Sequence, residues 1–188
     1  SEYSGDTGDF TIQSSVVYNG TYALQADQTG GYSEIRSTTG LETYPGKGDT
    51  FEWYERSTAV GGAQHRSNLQ FGLQDTNNHY TARINYDEFD NLLLLKTSGG
   101  STSTLDVASI PGQFNENAWY RLAVEWGDGT DGTTADEIIV TIYEAGETSP
   151  LAAVSAIDSE FAGETGIGFG ATTLQSGENI YFDQLEVV

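Results

Sequence analysis

The 188-residue chain has no cysteine, no methionine and only 3 prolines. Without cysteine there is no disulfide framework, no thiol nucleophile and no thiolate metal ligand, and the redox compartment stays open. Basic residues are nearly as scarce, with 7 Lys and Arg against 28 Asp and Glu and a formal net charge of −21. A field of that sign repels phosphate, so nucleic acid and anionic membrane surfaces are excluded as partners. Long apolar runs are missing too. The LLLLK run at 92–96 falls far short of the roughly 18 residues that span a bilayer, so no membrane insertion is expected. The opening SEYSGD carries no signal-peptide pattern. No segment sustains an apolar face at helical period.

What remains is rich in aromatics and glycine: 3 Trp, 11 Tyr, 8 Phe and 23 Gly. With 37% hydrophobic residues the chain can bury a core and is not a disordered acidic tail. Its length suits one domain, 1–188. Lysine is reduced to Lys47 and Lys96. Such an acidic surface looks like that of proteins from salt-loving archaea, where a Debye length of about 3 Å at 1 M screens the self-repulsion. A high-salt environment is therefore expected.

Short runs of β-branched and aromatic residues alternate with Gly, Asn, Asp and Thr. They predict strands at 10–13, 21–25, 33–37, 50–57, 68–75, 79–86, 91–97, 119–126, 137–144, 152–156, 166–171 and 179–188. DTNN at 75–78 and DEFDN at 87–91 read as the turns of a meander. This density predicts an all-β fold, a two-sheet antiparallel sandwich. Period-2 alternation puts Phe51, Trp53 and Glu55 on one side of their strand and Glu52, Tyr54 and Arg56 on the other. It likewise groups Leu69 with Phe71, Tyr80 with Ala82 and Ile84, Leu122 with Val124 and Trp126, and Ile138 with Val140 and Ile142, as core rows. Trp119 falls opposite Leu122 and is a candidate stacking platform.

The order of motifs is suggestive: FTIQSSVVYNGTYALQA, FGLQDTNNHYTARINY, NAWYRLAVEW, EIIVTIYEAG, DSEFAGETGIGFG and ENIYFDQLEV. Over nearly the whole chain it resembles the concanavalin A-like, laminin-G-like jelly-roll superfamily in a haloarchaeal form, with segments shared with carbohydrate-binding modules. The resemblance implies a jelly roll, frequently with structural Ca²⁺, that binds glycan or protein outside the cell. It also includes hydrolases and lyases, so fold alone does not define function.

Four constellations follow. Glu52, Tyr54 and Arg56, with Gln70, Gln74, His79, Thr81, Arg83 and Asn85, form a polar strand face if their strands are neighbours. Planar hydrogen-bonding groups bridge sugar hydroxyls and an aromatic ring covers the C–H side of a pyranose. Glu52, Tyr54, Arg56, Gln70, His79 and Arg83 are therefore the candidate ligand-binding residues. The same row equally fits a solvated face with Arg–Glu cross-strand pairs. Second, SEIR at 33–36 is similar to a strand motif of alginate lyases, which would give Arg36, Gln70, His79 and a tyrosine such as Tyr54 roles in uronate elimination. The Gln-Ile-His motif and the C-terminal tyrosine motif of those enzymes are missing here. Third, paired-carboxylate glycoside hydrolysis is disfavoured, because Glu52 and Glu55 point to opposite faces of one strand. Fourth, Asp183 in YFDQLEV matches the position of a structural Ca²⁺ ligand in related modules, with partners around Glu2 to Asp6 and carbonyls from Gly20. The acidic loop at 127–137 lacks EF-hand spacing and reads as a solvated hairpin. The chain is expected to be a non-catalytic extracellular module on a cell or virion surface, binding glycan or a surface protein. A uronate lyase and an assembly module are the alternatives.

Overall fold

A computed structural model describes residues 3–27, 30–61, 65–172 and 175–188. The expected partner Glu2, and the middle of the GGAQHR loop at 62–64, lie outside the described residues. The strands are β1 (Ser4–Gly5), β2 (Phe10–Gln13), β3 (Ala23–Ala26), β4 (Tyr32–Ser37), β5 (Thr50–Ser57), β6 (Arg66–Asp75), β7 (Asn78–Asn85), β8 (Asn91–Ser98), β9 (Ser101–Ser109), β10 (Trp119–Trp126), β11 (Glu137–Glu144), β12 (Ala152–Ile157), β13 (Gly166–Thr172) and β14 (Ile180–Val187). A 3₁₀ turn covers Thr7–Asp9.

The strands form two 7-stranded antiparallel sheets. The front sheet runs β1-β4-β13-β6-β7-β8-β9 and the back sheet β12-β11-β10-β5-β14-β3-β2. The all-β, two-sheet expectation holds, and twelve expected strands are present with small shifts at their ends. Two strands were not anticipated. β1 is a two-residue edge piece paired to β4. β9 is a polar edge strand, serine- and threonine-rich and largely exposed. A two-residue Gly99–Gly100 turn with φ of 57° and 79° joins it to β8. Both positive φ values suit a hairpin turn that matches strand twist.

The core lies between the sheets and follows the alternation. Phe51, Trp53, Leu69, Phe71, Tyr80, Ile84, Leu122, Val124, Trp126, Ile138, Val140 and Ile142 are all buried. Their rings meet edge to face, as in Phe71–Trp126 at 5.7 Å and Tyr80–Trp126 at 5.5 Å, the arrangement favoured by ring quadrupoles. Gly72 sits at a β-bulge between Phe71 and Asp75 with φ of 53°. A Cβ there would lie 2.8 Å from Trp126 Cη2, so the bulge needs glycine both for its backbone and for its space.

One core position is polar. Glu55 is 1% exposed and lies on the core side of β5 with Phe51 and Trp53. Trp53 Nε1–H donates to it at 3.1 Å, Tyr86 Oη–H at 2.8 Å, and Ser67 Oγ–H donates as well. These donors account for how a carboxyl is tolerated between two sheets.

Candidate functional site

The topology separates the expected polar face into two. β5 belongs to the back sheet and β6 and β7 to the front sheet. Glu52, Tyr54 and Arg56 therefore lie on the opposite side of the sandwich from Gln70, His79 and Arg83, and the single surface joining all six does not exist. Alternation says which side of its own strand a residue occupies. It does not say to which sheet the strand belongs.

On the back sheet, Glu52, Tyr54 and Arg56 each already have a partner. Glu52 accepts from Arg121 Nη1 at 2.6 Å. Tyr54 stacks under Tyr18, ring centroids 3.8 Å apart at 14°. Burial pushes the Tyr54 hydroxyl up to about 12, with Tyr18 and Glu52 adding to the rise. Arg56 Nη2 donates to Asn117 Oδ1 at 2.8 Å, and its guanidinium sits 5.9 Å from the Tyr181 ring. Trp119 is half-buried, 5.8 Å from Tyr18. Tyr18 comes from the connection between β2 and β3, which crosses β14 to reach β5. Asp183 on β14 holds it there: its Oδ2 accepts the N–H groups of Tyr18 at 2.6 Å and Asn19 at 3.1 Å.

Those bonds bear on the expected Ca²⁺ site. Asp183 Oδ2 faces N–H donors. Asp6 Oδ2 accepts the Glu34 N–H at 3.0 Å, against β4 of the front sheet. Gly20 is exposed, its N–H bonded to Asn19 Oδ1. No group of three or more Asp, Glu, His or Cys side chains suited to a metal occurs among the described residues. As arranged, these residues do not form a Ca²⁺ ligand set, which needs six or more converging oxygens.

On the front sheet a polar groove of about 380 Å³ crosses β4, β6, β7, β8 and β9. Its key side chains are Tyr32, Glu34, Arg66, Asn68, Gln70, His79 and Arg83. The groove exists because β13, lying between β4 and β6, carries glycine at its outward positions. A Cβ on Gly170 would meet the Tyr32 hydroxyl at 2.9 Å, and one on Gly168 would meet Gln70 Oε1 at 2.4 Å. Side chains of β4 and β6 thus lie across a glycine floor and touch each other. Gln70 Nε2 donates to Glu34 Oε2 at 2.7 Å and to Tyr32 Oη at 3.1 Å. Tyr32 Oη donates to Glu34 Oε2 at 2.5 Å, and Arg36 pairs with the same carboxylate. Arg66 pairs with Asp87 at 3.2 Å. Arg83 Nε donates to Asn68 Oδ1 at 2.7 Å.

Electrostatically the groove holds back charge. Burial lowers the His79 pKa, so the imidazole is neutral at pH 7. Burial and the adjacent Arg66 lower Arg83 below the ordinary arginine value. Two buried side-chain atoms of the groove-lining residues lack a partner among the described residues: Asn68 Nδ2 and Gln70 Oε1. The second packs against Gly168. The first is a buried donor on a residue that lines the groove.

Of the six expected binding residues, Gln70, His79 and Arg83 therefore share the groove. Of the lyase combination, Gln70 and His79 share the groove, Tyr54 lies on the other sheet and Arg36 is paired with Glu34; the tyrosine that lines the groove is Tyr32. His65 is buried, with Nε2 2.5 Å from Ser57 Oγ. Arg66 beside it does line the groove. Tyr32, Glu34 and Asn68 were missed as site residues. The G-x-G-x-G of β13, which marks a strand crossed closely by its neighbours' side chains, was the available signal.

The fold defined by these sheets is a lectin-like jelly-roll sandwich. No protein-family model matches the sequence, and no curated protein matches it significantly. Among solved structures, carbohydrate binding module CBM66 from Bacillus subtilis aligns at TM-score 0.58 and 20% identity, over 94% of this chain and 93% of that one. A GH43 protein from Bacillus licheniformis aligns at TM-score 0.64 and 11% identity, covering all of this chain but 36% of that one. A legume lectin-like domain from Entamoeba histolytica aligns at TM-score 0.56 and 12% identity, over 97% and 90%. At such identities the likeness is one of fold.

Proposed function

We propose that the protein is a non-catalytic carbohydrate-binding module that holds a glycan in the front-sheet groove, acting outside the cell in high salt. The observation that carries this reading is the orphaned donor Asn68 Nδ2, buried beside Arg83, Gln70 and His79. A buried polar atom without a partner costs about 1–3 kcal/mol, and a ligand hydroxyl or carboxylate removes that cost. The carbohydrate-binding and lectin-like structural neighbours support it as analogy. Affinity electrophoresis through immobilised polysaccharides, in molar KCl, tests it. Binding should be lost in Arg83→Ala and Gln70→Ala and kept in Tyr54→Ala. If no polysaccharide retards the protein, the reading fails. Incubation with uronate polymers, followed by ultraviolet absorbance of unsaturated product, separates a binder from a lyase.

A second reading places the glycan on the back sheet, where Tyr18, Tyr54 and Trp119 cluster. Exposed aromatic faces suit pyranose stacking. In that case Tyr54→Ala, not Arg83→Ala, abolishes retention.

A further inference from the structure

The chain has only 7 basic residues, and the described structure shows where each is used. Arg36 pairs with Glu34, Lys47 with Asp136, Arg66 with Asp87, Lys96 with Asp158 and Glu160, and Arg121 with Glu52. Arg56 rests on Asn117 and the Tyr181 ring, with its Nε unpartnered, and lines no groove found among the described residues. Arg83 alone is half-buried in a ligand-sized groove with no carboxylate within ion-pair distance among the described residues. Arg66 disfavours its charge, and Tyr32 and Asp87, the latter already paired with Arg66, offset this only in part. Surrounded by 28 acidic residues in the sequence, a guanidinium left unpaired beside another one is an expensive arrangement unless something else compensates it.

Its hydrogen bonding narrows what that is. Arginine has donors only. Asn68 must therefore turn its oxygen to Arg83 Nε, at 2.7 Å. This leaves Asn68 Nδ2, on the same carboxamide, buried without an acceptor. Two donor groups, one cationic, sit side by side on the groove wall, and the acid nearest the other wall, Glu34, is neutralised by Arg36 and bonded by Gln70 and Tyr32. A neutral hydroxyl brings no charge to this pair of donors. An anionic group with two oxygens answers both at once.

We infer that the groove selects an acidic glycan, seating a carboxylate or sulfate ester of the sugar on Arg83 and Asn68 Nδ2. This inference rests on the carbohydrate reading of the groove and names its substrate class. The protein's overall negative field opposes nonspecific adhesion of polyanions, so retention of one reports the local site.

The test compares ligands. Uronate oligosaccharides and sulfated galactan oligosaccharides are each titrated by calorimetry in molar KCl beside their carboxyl-reduced or desulfated counterparts. Charge-assisted hydrogen bonds predict binding at least about tenfold tighter for one anionic series than for its neutral counterpart. Which series wins distinguishes carboxylate from sulfate. Arg83→Gln should erase that preference. Equal binding of the charged and neutral forms overturns the inference while leaving the carbohydrate reading intact, as does a preference that survives in a folded Arg83→Gln. Binding to no sugar in either form overturns both. The ligand-side comparison holds even if Arg83→Gln does not fold.

Discussion

Glu55 makes stability depend on pH in a way that one substitution isolates. Burial raises its pKa above 4.5, and the donors from Ser67, Trp53 and Tyr86 only partly oppose this. The folded state therefore keeps its proton at pH values where the unfolded chain has released it. Below pH 4.5 both states are protonated and the contribution is fully present. As pH rises from there toward the folded pKa, stability falls by about 1.4 kcal/mol per unit, because the native state binds one proton more. Above the folded pKa the slope disappears. Glu55→Gln removes this linkage. The amide still offers an oxygen to Ser67 and Tyr86 but turns an N–H₂ toward Trp53 Nε1–H. That mismatch costs about 1–3 kcal/mol, independent of pH. Urea unfolding of both proteins in constant high KCl, followed by tryptophan fluorescence from pH 4 to pH 8, separates the two effects. The remaining carboxylates titrate alike in both proteins and cancel in the difference. The variant should gain on the wild type with rising pH, starting near the model-peptide range. Parallel curves across the whole range would refute the argument.

Other outcomes follow from the geometry. Gly72→Ala adds a methyl 2.8 Å from Trp126 Cη2 at a φ of 53°; a loss of about 2–4 kcal/mol in chemical unfolding is expected from strain and overpacking together. Asp183→Ala removes the acceptor of the Tyr18 and Asn19 amides, so those amides should exchange with deuterium at least about tenfold faster. Ca²⁺ addition to metal-stripped wild type should leave the melting temperature unchanged, and a concentration-dependent rise would show that Asp183 rearranges to bind the ion. A charge of −21 predicts that the unfolding midpoint climbs between about 0.1 M and 1 M KCl, as the Debye length drops from about 10 to 3 Å; a flat response would exclude self-repulsion as a main term.

Most strands were legible because each carries one apolar and one polar row. β9 was not: its first half, STST, is polar on both rows, and only Leu105 and Ala108 of its second half pack against the core. Its true signal was Gly99–Gly100, a turn rather than a strand pattern. The site was half legible. Gln70, His79 and Arg83 were read from one meander, where neighbours in sequence are neighbours in space. Adding Glu52, Tyr54 and Arg56 failed because the connection after β5 crosses from one sheet to the other, which leaves both strands' periodicity unchanged. The inward half of β5 was readily legible: Glu55 had to be buried if Phe51 and Trp53 were. That three donors await it could not be read, because they come from β5, β6 and the residue just after β7.

The placement of β13 and β14 bears on how the chain is made. β13 lies between β4 and β6, and β14 between β5 and β3. Each sheet thus receives its interior strand last, by insertion between partners synthesised long before. On a ribosome moving at about 5–20 residues per second, β4, β5 and β6 wait many seconds with bare edges. The front sheet is complete only when β13 emerges and the back sheet only when β14 does. Until then the unpaired edges of β4, β5 and β6 are the places where one nascent chain is open to pairing with another.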